Sequence, residues 1–166
     1  PNEDLLEVYD AGQRILGENK VQELCLKHED LPKDIQWHMI GHLQSNKVKY
    51  IAPFVALIHG VDKPKLLKEI SKEAAKHNRT IDCLIQVHVA QEETKFGFTF
   101  EEVSKLFIDM QTNDFYPNVR IVGLMAMASH TEDKKQIKKE FTSVKLLFDE
   151  VKENYQLSLI HISEPT

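Results

Sequence analysis

Five histidines lie in, or just after, segments with the apolar pattern of β-strands: His38, His42, His59, His88 and His130. Imidazoles that converge at the ends of neighbouring strands are able to bind zinc, so a metal-dependent barrel hydrolase is one hypothesis. The spacing does not favour it, because the sequence has no H-x-H pair and Gly41 interrupts the helical H-x-x-x-H pattern. We therefore predict no metal site. The alternative is that each imidazole is half-buried and bonded to backbone.

Three other segments place amide, ammonium or thioether groups where a predicted strand ends. In "GENK", the amide of Asn19 could face a ring or an anion, unless it caps the next helix. In "KFGF", Lys95 could pair with a phosphate or phenolate oxygen, unless it belongs to a solvated turn. In "GLMAM", Met125 and Met127 share a strand, and methionines there fill a core more often than they contact a ligand.

The elements that must position these groups alternate along the chain. The hydrophobic pattern predicts helices over 4–14, 21–28, 43–51, 63–77, 100–112 and 132–153. It predicts strands over 15–17, 35–40, 54–58, 81–89 and 119–127. Strands that are apolar on both faces and alternate with amphipathic helices indicate an α/β fold of about five βα units, with a parallel sheet covered by helices. Ligands of such folds bind at the carboxyl ends of the strands, where the polar residues lie.

Two helix starts have recognisable capping residues. Asp62 is placed to cap the helix over 63–77, with Pro64 in the first turn, where a missing N–H costs little. Thr99 and Glu102 have the spacing of a capping box before the helix over 100–112.

Composition excludes several classes of function. The chain has 166 residues, a formal net charge of -5 and no basic block, which argues against nucleic acid as the main partner. Two cysteines in no metal-ligand spacing, Cys25 and Cys83, favour a reducing compartment, so we expect a cytoplasmic protein. No apolar run approaches the roughly 18 residues of a membrane span. The sequence also lacks a Ser-His-Asp order, a P-loop and a G-x-G-x-x-G motif.

The segments "AGQRILGENKVQE", "WHMIGHLQSNK", "IHGVD", "LIQVHVAQEETKFGF" and "VGLMAMAS" together resemble the pyridoxal-phosphate homeostasis protein family. Members of that family are similar to the N-terminal barrel domain of alanine racemase. The resemblance covers roughly residues 1–157. It implies a partial (β/α)8 TIM-type barrel that is truncated at both ends. It also implies pyridoxal 5′-phosphate (PLP) as the cofactor.

The function that the resemblance implies is to carry or buffer PLP and to maintain vitamin B6 and amino-acid balance, without established enzymatic turnover. By position, Asn19 matches a residue beside the cofactor, Lys95 a second lysine near the site, and Met125 a residue that lines the barrel. His42 lies at the rim of the barrel mouth, and all four are predicted to bind the cofactor. PLP-dependent apoenzymes are the expected protein partners, and the parent protein is expected to be a monomer. A PLP-dependent racemase-like enzyme is the alternative function.

The chain also departs from the family pattern. The lysine that binds the cofactor covalently is expected just upstream of Pro1, and the family's serine-rich phosphate-binding segment is not recognisable. From about residue 157 the sequence resembles nothing in the family, so we predict one incomplete barrel domain over 1–157 and a non-native tail over 158–166. We expect such a fragment to bind PLP weakly and to associate through its open sheet edges.

Overall fold

The computed structural model describes residues 2–89, 96–113, 115–155 and 161–163. Its strands form one sheet in which every strand pairs in parallel with the next strand of the chain. They are β1 (Ile15–Glu18), β2 (Gln36–Met39), β3 (Leu57–Val61), β4 (Ile81–Val87), β5 (Val119–Ala126) and β6 (His161–Ser163). Sequential parallel strands joined through helices are the wall of a (β/α) barrel. The predicted fold, a partial barrel of five βα units, is confirmed, and β6 follows the fifth unit.

The helices are α1 (Asn2–Asp10), α2 (Val21–Asp30), α3 (Val48–Ile51), α4 (Pro64–Lys76), α5 (Phe100–Thr112) and α6 (Lys134–Tyr155). A turn of 3₁₀ helix over Ser45–Lys47 precedes α3, so the helix predicted over 43–51 begins later than expected. The first helix ends at Asp10 because Gly12 adopts a positive φ of 100°. None of the described helices is long and apolar enough to cross a membrane.

One predicted strand is misplaced. The apolar residues over 54–58 suggest a strand, but β3 covers Leu57–Val61. Phe54 and Val55 instead continue the turn that follows α3, since their amides donate to the carbonyl of Ile51. An apolar run cannot by itself separate the end of a buried helix from the start of a buried strand.

The main core lies between the sheet and its helices. On α4 the predicted face of Leu66, Leu67, Ile70 and Ala74 is fully buried. A second, smaller cluster contains Leu57, Leu84, Val122 and Met125. Leu84 alternates with Cys83 and Ile85 of the main core, so this cluster lies on the face of the sheet away from the helices. A register shift between β4 and β5 lets both Val122 and Met125 reach that face. Met125 therefore belongs to the inner side of the barrel wall.

The two capping predictions have different outcomes. The capping box is confirmed, since the Thr99 hydroxyl accepts from the amide of Glu102 and the Glu102 carboxylate accepts from the amide of Thr99. The prediction for Asp62 is wrong. Helix α4 is capped at Lys63, without a side-chain hydrogen bond, and Asp62 is buried instead. Its carboxylate is therefore free to serve another role.

Candidate functional site

A cleft of about 400 Å³ opens where β1, β2, β4 and β5 end. Its volume lies within the range of roughly 300–1,000 Å³ that is usual for small-molecule sites. Two amides, one imidazole, one phenyl ring and two thioethers contribute to its wall, beside an isoleucine and a glycine. The lining residues are Asn19, Ile40, Gly41, His42, Gln86, Phe96, Met125 and Met127. The cleft can therefore hold a flat, partly apolar molecule and offer it a few polar contacts.

Three of the four residues predicted to bind the cofactor meet in this cleft: Asn19, His42 and Met125. The alternative that Asn19 caps the next helix is wrong, because α2 is capped at Lys20 and no side-chain capping bond is present. Met125 is 2% exposed and belongs both to the inner cluster and to the cleft. Lys95, the fourth residue, lies outside the described residues.

A close backbone contact sets the position of Asn19. A Cβ atom on Gly41 would lie 2.3 Å from the carbonyl oxygen of Asn19 and 2.8 Å from its Cα. Only glycine allows the loop after β2 to approach the loop after β1 this closely. The amide of Ile40 also donates to the carbonyl of Glu18 at 2.9 Å, which fastens the two loops together.

Gln86 fixes the segment that follows β4. Its side chain is buried, and Nε2 donates to the carbonyl oxygen of Phe96 at 3.0 Å. The amide of Phe98 donates to the carbonyl oxygen of Gln86 at 2.8 Å. Gly97, between Phe96 and Phe98, has a φ of 141°. These contacts hold the Phe96 ring at the edge of the cleft.

His42 lies between that ring and a buried carboxylate. The imidazole stacks on Phe96 with ring centroids 4.4 Å apart and an interplanar angle of 23°. Its Nδ1 lies 3.5 Å from Oδ2 of Asp62, whose side chain is only 2% exposed. Among the residues that line the cleft in the described part of the chain, His42 is the one side chain able to carry a positive charge.

Two of the other histidines contact each other. His38 Nδ1 and His59 Nε2 are 3.1 Å apart, as expected for imidazoles that hydrogen-bond each other across β2 and β3. In the described ranges no group of three or more histidine, cysteine, aspartate or glutamate side chains could hold an ion. Burial raises the pKa of the Cys83 thiol, which therefore stays protonated and unreactive.

Comparison with known proteins shows to which family the chain belongs. The family described as alanine racemase, N-terminal domain, matches residues 4–164. A pyridoxal phosphate homeostasis protein from Aquifex aeolicus is 40% identical over 164 residues, which cover 98% of this chain and 71% of the relative. The chain belongs to the pyridoxal phosphate homeostasis protein family. The match to residue 164 includes β6, and the non-native origin of residues 158–166 stays a prediction.

Solved structures of the family have the same fold. PipY from Synechococcus elongatus, solved without PLP, aligns with a TM-score of 0.85 at 30% identity and covers 98% of this chain and 75% of its own. PipY has also been solved with PLP bound, and that structure aligns with a TM-score of 0.81 at 28% identity. Alanine racemase from Clostridium difficile aligns with a TM-score of 0.70 at 10% identity, which shows the fold alone.

Besides Ile40, Gly41 and Met127, three further residues of the site are absent from the four predicted from sequence: Gln86, Phe96 and Asp62. For Gln86 a signal existed, since it is a polar residue near the end of the otherwise apolar strand "IDCLIQV". Phe96 adjoins the predicted Lys95, but its apolar ring suggests a core residue. The sequence predicts a helix cap at Asp62, and only the fold shows its carboxylate beside His42.

Proposed function

We propose that this chain binds PLP at the cleft between β1, β2, β4 and β5 and serves to carry or buffer the cofactor. One observation carries the proposal. Asn19, His42 and Met125, which the family resemblance assigns to the cofactor site, line a single cleft at the carboxyl ends of the strands. The names of the relatives, and the PLP bound to PipY, support the same cofactor.

The lining residues fit the pyridine ring of PLP better than its phosphate. Met125, Met127 and Ile40 supply apolar surface for a flat ring, and Asn19 and Gln86 supply amides for its polar substituents. PLP supplies an aldehyde that can bond to amines. The described lining residues include no lysine or arginine, and Lys95 lies outside the described residues.

We favour a carrier over a racemase-like enzyme. Racemisation needs a proton donor and a proton acceptor on opposite faces of the ring. In the described part of the cleft wall, His42 is the one side chain of a type that commonly serves as a general acid or base. The relatives are named for homeostasis, which supports a non-enzymatic role. Delivery of PLP to apoenzymes, a monomeric parent and a cytoplasmic location remain parts of the proposal.

Equilibrium dialysis with PLP, followed by its absorbance, tests the proposal directly. We expect measurable binding that Asn19→Ala weakens roughly 2- to 13-fold, the effect of losing one hydrogen bond of about 0.5–1.5 kcal/mol. Asn46→Ala is the matched control, because Asn46 is also exposed and follows a neighbouring strand but does not line the cleft. Binding that neither variant changes would place PLP elsewhere.

A second measurement separates carrier from enzyme. The chain is incubated with PLP and L-alanine, and optical rotation is followed over time. A carrier leaves the rotation unchanged over hours, whereas a racemase reduces it to zero. Loss of rotation that disappears in His42→Phe would identify an enzymatic site and overturn the carrier proposal.

A further inference from the structure

Asp62 is a buried carboxylate whose local surroundings do not account for it. Neither carboxylate oxygen has a hydrogen-bond partner within the described ranges, although both are inaccessible to water. Burial of an ionised carboxylate without hydrogen bonds is costly unless a cation lies nearby. Asp62 therefore needs a cationic neighbour to be stable in its charged form.

Two groups can provide that charge. His42 Nδ1 lies 3.5 Å from Oδ2, and Lys63 Nζ lies 3.9 Å from Oδ1. The two side chains are similarly exposed, 46% for Lys63 and 39% for His42, but the lysine side chain is longer and has more rotatable bonds. The imidazole is held more firmly, because it also stacks on Phe96. His42 is thus the better ordered partner of the carboxylate.

The contact orients the imidazole. Nδ1 of His42 faces Asp62, so the carboxylate favours a proton on that nitrogen. Nε2 lies on the opposite side of the ring. No other described side chain that lines the cleft is able to carry a positive charge, yet PLP has anionic oxygens in two places, on its phosphate and on its ring. A protonated imidazole backed by a carboxylate is suited to donate a hydrogen bond to such an oxygen.

We propose that Asp62 is a positioning residue that holds His42 so that Nε2 donates to an anionic oxygen of the bound ligand. The identity of the ligand rests on the proposed function. The contact between Asp62 and His42 is independent of it. It makes His42 an anion-binding group in the described part of the cleft wall. Phe96 limits rotation of the ring from the other side.

A double-mutant cycle tests whether Asp62 acts through His42. Asp62→Asn keeps the shape but removes the charge, and His42→Phe keeps a ring on Phe96 but removes both nitrogens. Each single variant is expected to weaken PLP binding roughly tenfold or more, and the double variant no further. The double variant also removes the unpaired buried charge that His42→Phe leaves, so it serves as the folding control, checked by its melting temperature.

Pyridoxal, which lacks the phosphate, distinguishes the two anionic oxygens. If Nε2 donates to the phosphate, His42→Phe weakens PLP binding but leaves pyridoxal binding unchanged. If Nε2 donates to the ring oxygen, both affinities fall by the same factor. Either pattern supports an anionic oxygen as the partner, and unchanged affinity for both ligands would overturn the proposal.

Nitrogen NMR of the imidazole gives a readout that needs no ligand. In ¹⁵N–¹H spectra of the free chain we expect Nδ1 of His42 to carry a proton, and Asp62→Asn to change the signals of both ring nitrogens. The signals that disappear in His42→Phe are assigned to His42. Asp82→Asn is the control, because Asp82 pairs with Arg120 at the other end of the strands and should leave those signals unchanged. Unchanged signals in Asp62→Asn would refute the positioning role, whereas absence of PLP binding in the wild type would refute the proposed function alone.

Discussion

Replacement of Gly41 by alanine should disrupt the cleft by moving its wall. The added Cβ would lie 2.3 Å from the carbonyl oxygen of Asn19, whereas ordinary contacts begin at 3.4 Å. The two loops must therefore separate by about 1 Å, the difference between those distances. The obstacle is backbone that is hydrogen-bonded to the neighbouring strand, so it cannot move aside as a side chain can.

Overpacking of this kind costs about 1–3 kcal/mol. For a chain of this size each kcal/mol lowers the melting temperature by roughly 2–4 °C, so we expect Gly41→Ala to melt roughly 2–12 °C below the wild type. Displacement of Asn19 should also weaken PLP binding in equilibrium dialysis. Circular dichroism provides the melting curve, and the same samples serve for the binding measurement.

Gly17→Ala is the matched control. It makes the same substitution on the neighbouring strand, but its Cβ would meet only the Ile40 side chain, at 3.2 Å. A side-chain methyl can shift by a few tenths of an ångström, so we expect a smaller loss of stability than for Gly41→Ala. If the two variants have the same melting temperature, or if Gly41→Ala binds PLP with the wild-type affinity, the close backbone contact does not set the geometry of the cleft.

Three other predictions concern stability and are checked by denaturant or thermal melts. Arg79→Ala should lower the free energy of unfolding by about 1–3 kcal/mol, because the guanidinium donates to two carbonyls in the turn before β3. Arg120→Ala, which removes the exposed ion pair with Asp82, should lower it by at most about 1 kcal/mol. Thr99→Ala should cost about 0.5–2 kcal/mol through loss of the capping box, and Thr112→Ala, at the other end of α5, much less. Burial lowers the pKa of His28 in the folded chain, so below about pH 6.5 the unfolded chain binds this proton more tightly. The free energy of unfolding should therefore fall between pH 7.5 and pH 5.5. In His28→Gln it should fall less over the same range. Equal pH dependence in both proteins would contradict the last prediction.

Much of the fold is predictable from the sequence because hydrophobic period and capping are local properties. Helix α5 occupies the predicted range, and its capping box is present. Strands β1, β2, β4 and β5 lie within one or two residues of the predicted bounds at most ends. The failure at β3 has a physical cause, since the apolar turn after α3 and the apolar strand after it cannot be separated by hydrophobicity alone.

The sequence by itself determined that parallel strands alternate with helices and that Asn19, His42 and Met125 follow or end three of those strands. Only the tertiary structure decided that they share one cleft, that Gly41 abuts Asn19, and that Asp62 lies behind His42. The reason is that these contacts join residues on different strands. Their distances depend on strand register and loop approach, which the pattern of any single segment does not contain.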